Sequence, residues 1–164
     1  DKEVVLATVK QCGYALKFAS DKLKGDNEVM LAAVTQDGNA LNFASDDMKG
    51  DKEVVLAAVN QNGQVLQFAS GELKGDKDIV LVAVNDWGTA LEYASEEIKG
   101  DREVVLAAVN QDRKALQFAP TVHDYGNALM YATEEMKGDK EVVLAAVKQC
   151  GYALKFASDD MKGD

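Results

Sequence analysis

Few side chains in this sequence are of the kinds that do chemistry. One histidine, His123, stands beside Asp124, two cysteines occur at Cys12 and Cys150, and carboxylate pairs recur at Asp46-Asp47, Glu96-Glu97, Glu134-Glu135 and Asp159-Asp160. A His and Asp pair does acyl-transfer work only with a serine or cysteine nucleophile in reach. No recognisable spacing supplies one to His123. Neighbouring residues on a helix point about 100° apart, so the paired carboxylates do not converge on a cation, and the alternating Asp and Gly of a calcium loop is missing. These groups read as surface charges. The sequence predicts a non-enzymatic protein with no catalytic residue, no metal site and no cofactor, and gives no sign of a small-molecule substrate.

Recognition is a better use for what remains. The chain is a tandem repeat whose units open at Asp1, Asp26, Asp51, Asp76, Asp101 and Asp139, with a period of 25 residues wherever it is regular. The positions that vary most between units surround one glycine: Lys10, Cys12, Tyr14 and Lys17 in the first unit, Asn85, Trp87, Thr89 and Glu92 in the fourth. Repeat proteins bind by varying the side chains of one ridge over a constant core, and aromatic anchors dominate such contacts. This singles out Trp87 and Tyr125, at equivalent positions, and Tyr14 and Tyr152 nearby, with Asp86, Asp37 and Asn62 on the same ridge, as candidate protein-binding residues. Exposed positions also drift for want of constraint, and an aromatic beside a turn also serves by packing on the adjacent repeat. Both readings stand on the sequence alone.

The elements that must position this ridge follow from the unit itself. Each opening Asp suits a helix start, where its carboxylate accepts from free amides and meets the positive end of the dipole. The Val-rich run behind it is compatible with a strand. The cap, the alanines within the run and the glycine after it, at 13, 38, 63, 88 and 151, decide for a helix, with that glycine suited to a left-handed C-terminal position. The second half, Tyr14 to Lys24, places Leu16, Ala19 and Leu23 on one stripe and ends at Gly25, predicting a second helix. Ser20 lies inside that helix or caps a separate final turn. One unit cannot bury its apolar face alone, so units must stack and share a core. The expectation is an all-α solenoid of short helix pairs in one domain, with units 1–25, 26–50, 51–75, 76–100, 101–119, a truncated 120–138, and 139–163.

Charge and cysteine content bound the partners. The net charge of −10 argues against nucleic acid and anionic membrane, which need basic patches, and no apolar run is long enough for a membrane span. Units 26–50 and 76–100 carry −4 each, a solvated acidic face or an attraction for a basic partner. Cys12 and Cys150 occupy the same position of the first and last units, so in an open stack they lie too far apart for a disulfide. Free thiols, and with them a reducing compartment, are expected.

The pattern breaks once. Asp101 to Gly138 is 38 residues where two units take 50, so 12 are missing. Arg113 replaces the turn glycine and Pro120 marks the junction, predicting one longer helix after Asp101, ended by the proline, and a bend in the stack. The ends of the chain are closer to each other than neighbours are: Asp1 to Gly25 and Asp139 to Gly163 share 22 of 25 residues, against 16 for the first two units. The sequence therefore reads as an excised or processed window on a longer array. It also allows a self-assembling segment that stacks end to end into a filament, the alternative to a binding scaffold.

The motif D-K-E-V-V-L-A-A-V-x-Q-x-G-x-A-L-x-F-A-S, seen at Asp139 to Ser158 and, with Val65 for one alanine, at Asp51 to Ser70, resembles a tandem-repeat family catalogued only as a domain of unknown function. The resemblance covers essentially the whole chain and implies an α-helical repeat fold. It brings no catalytic residues with it.

Overall fold

The structure, a computed structural model, describes residues 1–116 and 127–163. Among these, every regular element is helical. Six longer helices are described: α1 Lys2–Val9, α2 Asn27–Gln36, α3 Lys52–Gln61, α4 Lys77–Asp86, α5 Arg102–Leu116 and α6 Lys140–Gln149. The opening aspartates cap them as their chemistry dictates. Asp51 Oδ1 accepts from Val54 N–H at 3.0 Å, and Asp26, Asp101 and Asp139 accept from the matching amides of their own helices.

The second half of the unit is not one α-helix. It is a 3₁₀ segment, such as Gly13–Phe18, Gly38–Phe43, Gly63–Phe68 or Gly88–Tyr93, followed by two extended residues and a separate single turn such as Asp46–Lys49 or Glu96–Lys99. The serine after the 3₁₀ segment starts that turn, and Ser45 and Ser95 accept from Met48 and Ile98 N–H. The break is tertiary in origin. Ser45 N–H donates to Lys24 O of the preceding unit at 3.1 Å, and Ser70 to Lys49, Ser95 to Lys74 and Ser158 to Lys137 repeat the bond, so these amides are drawn out of any local helix.

The turn glycine also has a different role from the one expected. Among the described residues the only positive φ is at Gly163, so the glycines at 13, 38, 63, 88 and 151 are not left-handed. They permit contact. A Cβ on Gly38 would stand 2.6 Å from Ala58 O in the next unit, and Cβ atoms on Gly13 and Gly63 would come closer still to Ala33 O and Ala83 O, well inside ordinary van der Waals separation.

Each long helix therefore packs on the next, and each 3₁₀ segment on the next. The core between them is continuous: Val29, Met30, Leu41, Leu66, Ile79 and Leu91 are fully buried. Stacking also continues across the break in the repeat. As the sequence predicts, the helix runs on past Arg113, to Leu116; its predicted end at Pro120 lies outside the described residues. α5 packs on both α4 and α6, and the 3₁₀ turn Ala128–Tyr131 packs on the segment 88–93. Thr133 N–H donates to Lys99 O at 3.2 Å, taking the place of the serines. Residues 101–116 and 127–138 thus supply one layer between them.

An ionic ladder follows the same register. Lys2, Lys52 and Lys77 reach the capping aspartate of the next unit, Asp26, Asp76 and Asp101, at 2.8, 2.6 and 2.8 Å. Arg102 reaches Asp139 at 3.0 Å, and also pairs with Glu141. Asp26, Asp76 and Asp101 titrate below the usual carboxylate value chiefly because these lysines donate to them. Asp139 is lowered first by the Val142 amide and then by Arg102. Lys2, Lys52 and Lys77 are raised in return. A lowered carboxylate contributes stability that is complete above its unfolded pKa of about 3.9 and is lost as pH falls through the folded value; a raised lysine contributes stability complete below about 10.4 and lost as pH rises through its own. The melting temperature is therefore expected to fall as the solution is acidified below about pH 4. In Lys77→Met the carboxyl carbon of Asp101, followed by NMR, is expected to titrate closer to the ordinary aspartate value; an unmoved titration would remove the ladder from this account.

Candidate protein-binding ridge

The variable positions gather where each long helix hands over to its 3₁₀ segment. The junction residue is Cys12, Asp37, Asn62, Trp87 or Cys150, and all five are extended, with φ between −138 and −158. An extended residue before a helical one can cap it, and two of them do. Asp37 Oδ1 accepts from Asn39 N–H at 3.0 Å, and Asn62 Oδ1 from Gln64 N–H at 3.0 Å. Asn62 also donates through Nδ2 to Asn39 Oδ1 of the preceding unit at 3.2 Å. Trp87 makes no cap bond. Its position carries an indole, 46% exposed, where the two preceding units carry a capping group.

The residues singled out from the sequence divide accordingly. Trp87, Tyr14 and Tyr152 are exposed on this edge, Tyr152 at 61%. Tyr14 is tied down: its ring meets Phe43 of the next unit edge to face at 5.2 Å, and Lys17 Nζ lies 4.3 Å over it and donates to its hydroxyl. Asp37 and Asn62 serve the backbone. Asp86 does so more completely, because its carboxylate accepts from Gly63 N–H at 2.7 Å and its backbone oxygen accepts from Gln111 Nε2 at 2.9 Å. It links three units. Tyr125, like His123 and Asp124, lies outside the described residues.

The clamp on the turn glycine is what sequence reasoning missed. Gln36 does for Gly13 what Asp86 does for Gly63, its side-chain oxygen accepting the glycine N–H. The signal was present, since this position holds Gln11, Gln36, Gln61, Asp86, Gln111 and Gln149, a side-chain carbonyl in every unit, beside positions that vary freely.

Little else on the surface offers a site. A shallow groove between α1 and α2, lined by Lys10, Leu31, Ala32, Thr35 and Gln36, is too open to enclose a small molecule. Among the described residues no three His, Cys, Asp or Glu side chains converge on a point that would hold a metal ion, and no helix is long and apolar enough to cross a membrane. Cys12 and Cys150 are free thiols.

The stacked layers and the recurring glycine clamp find their counterpart in a known sequence family. The model for the domain of unknown function DUF4116 matches residues 1–49, 51–98, 76–122 and 121–162. The chain belongs to the DUF4116 family. Each match spans close to two 25-residue units, so the DUF4116 pattern takes in the contact between neighbours as well as the unit itself. No curated protein and no solved structure matches the chain.

The clamp gives a direct expectation. Asp86→Ala leaves the Gly63 amide without its partner and is expected to lower the unfolding free energy by about 1–3 kcal/mol. Asp86→Gln, which installs the residue found at this position in the other units, is expected to recover most of that. Urea unfolding of the two variants checks it, and equal losses would show that the hydrogen bond is not what Asp86 contributes.

Proposed function

We propose that this DUF4116 array is a non-enzymatic scaffold that binds a protein partner along the ridge at the helix junctions, with Trp87 as its anchor. The reading rests on what occupies the junction. Asp37 and Asn62 each make a cap bond there, an interaction worth about 1 kcal/mol at helix starts. Trp87 forgoes that bond and leaves much of a large aromatic surface in water. Trp is among the residues that most often carry the energy of protein interfaces. The flanking side chains Asn85, Asp86 and Glu92 are exposed and would supply the polar rim, and the acidic unit 76–100 favours a partner with a basic surface, whose association would slow as salt is added.

The test compares partners recovered by the wild-type chain, by Trp87→Ala and by Glu97→Ala, the last on the exposed single turn away from the ridge. A ridge partner is expected to bind Glu97→Ala as it binds wild type and to lose about 30-fold or more in affinity for Trp87→Ala, as a hot-spot residue does. Equal binding to all three would end the ridge reading.

A further inference from the structure

The two ends of the stack expose side chains that are buried everywhere between them. At the first end Val4 is 64% exposed and Phe18 81%, whereas Val29, Val54 and Ile79, at the position of Val4, are fully buried. At the last end Leu154 is 44% exposed, whereas its equivalents Leu16, Leu41, Leu66 and Leu91 are fully buried. Gly151 shows the same thing in the backbone. A Cβ there meets nothing within 4 Å, although the turn glycines of the first three units lie hard against the carbonyl of the next.

The polar groups of the two ends are also matched. Interior units join a lysine or arginine at the second position to the aspartate that opens the following unit. Among the described residues Lys140 has no such carboxylate and Asp1 no such cation. Interior units also join the serine amide to the lysine carbonyl of the unit before; Ser20 N–H at one end and Lys162 O at the other are left over.

These faces are two halves of the contact that recurs throughout the stack. The last unit offers Lys140, Leu144, Val147, Gly151 and Leu154, the same residues that the first unit offers to its successor as Lys2, Leu6, Val9, Gly13 and Leu16. The first unit presents Asp1, Val4, Ala15 and Phe18 where the second presents Asp26, Val29, Ala40 and Phe43. One difference is Thr8, which replaces the buried alanine of the units that follow. Its hydroxyl already donates to Val4 O at 2.7 Å, so covering it orphans no polar atom.

We propose that two copies of this chain associate head to tail, the last unit of one seating on the first unit of the other in the register of the internal layers. The contact is heterologous, so a dimer carries the same two free faces and continues to grow unless the rotation closes it. This assembly does not depend on the ridge or on Trp87.

The cysteines provide a ruler. Within one chain Cys12 and Cys150 are five layer steps apart, roughly 40–50 Å at about 8–10 Å per layer. Across the proposed junction Cys150 and the Cys12 of the next copy are one step apart, about 8–10 Å, and both occupy the exposed edge. A bismaleimide with a spacer of about that length is expected to convert the wild-type chain into a ladder of covalent multimers, while light scattering shows a mass that rises with concentration. Each junction uses one cysteine of each kind, so Cys12→Ser and Cys150→Ser must each abolish the ladder. Gly151→Val should reduce crosslinking by about tenfold or more through a clash with the neighbouring carbonyl, with an unchanged circular dichroism spectrum and melting curve because the side chain faces open space. Thr8→Arg does the same from the opposite face. A wild-type chain that stays monomeric and uncrosslinked at its highest soluble concentration overturns the proposal and leaves the end faces to another occupant. A ladder that survives Gly151→Val, or a dimer that survives loss of either cysteine, overturns the head-to-tail geometry.

Discussion

The close approach of a glycine to a backbone carbonyl of the next unit is the contact on which the rest of this structure depends. Gly13, Gly38 and Gly63 sit against Ala33, Ala58 and Ala83, and the size of both partners is thereby fixed. The residue over the glycine must be small, and the glycine cannot carry a Cβ. With that spacing held, the leucine that follows in the 3₁₀ segment is fully buried in every interior layer. A larger residue at either place would separate the layers along their whole width and open the core to water, because the interior is close-packed and transmits such a displacement.

The other inter-unit links work in the same register. The opening aspartate caps its own helix and accepts from a lysine or arginine one layer back, so a single carboxylate fixes both where the helix starts and where the neighbour sits. The clamp by Gln36 or Asp86 holds the glycine amide that the close approach would otherwise leave buried without a partner. The serine amide ties the two sides of the stack across each layer. Only the helix junction is spared a fixed role, and there the side chain ranges from a capping Asp37 or Asn62 to the exposed indole of Trp87. Variation is tolerated where neither core nor register is at stake, which is where a binding surface can be varied.

Much of this was legible in the sequence, and what was not has identifiable causes. The 25-residue period, the opening aspartates and the all-α stack were visible because capping and apolar periodicity are local. The 3₁₀ segment was not, since Leu16, Ala19 and Leu23 fall at spacings of three and four that suit an α-helix equally well; what breaks the helix is the bond from the serine amide to the preceding unit, a tertiary effect. The glycine was recognised as necessary for the wrong reason, because left-handed backbone and steric contact select the same residue. Asp37, Asn62 and Asp86 looked like free ridge residues, yet their carbonyl and carboxylate oxygens are spent on backbone amides. Trp87 and Tyr152 remain exposed where the sequence put them, and Tyr14 is shared between the ridge and the Phe43 ring.

The claim that layer contact, and not backbone conformation, demands the turn glycine is tested most directly by making one substitution at two places. Gly38→Ala and Gly151→Ala are compared by urea unfolding at a concentration where the chain is monomeric. Both glycines occupy the same repeat position, neither has a positive φ, and only Gly38 has a neighbour over it. The account predicts that Gly38→Ala lowers the unfolding free energy by about 2 kcal/mol or more through overpacking, while Gly151→Ala changes it by no more than about 0.5 kcal/mol, as a surface substitution does. Similar losses at the two positions would contradict it, and would return the glycine to a conformational role within its own unit.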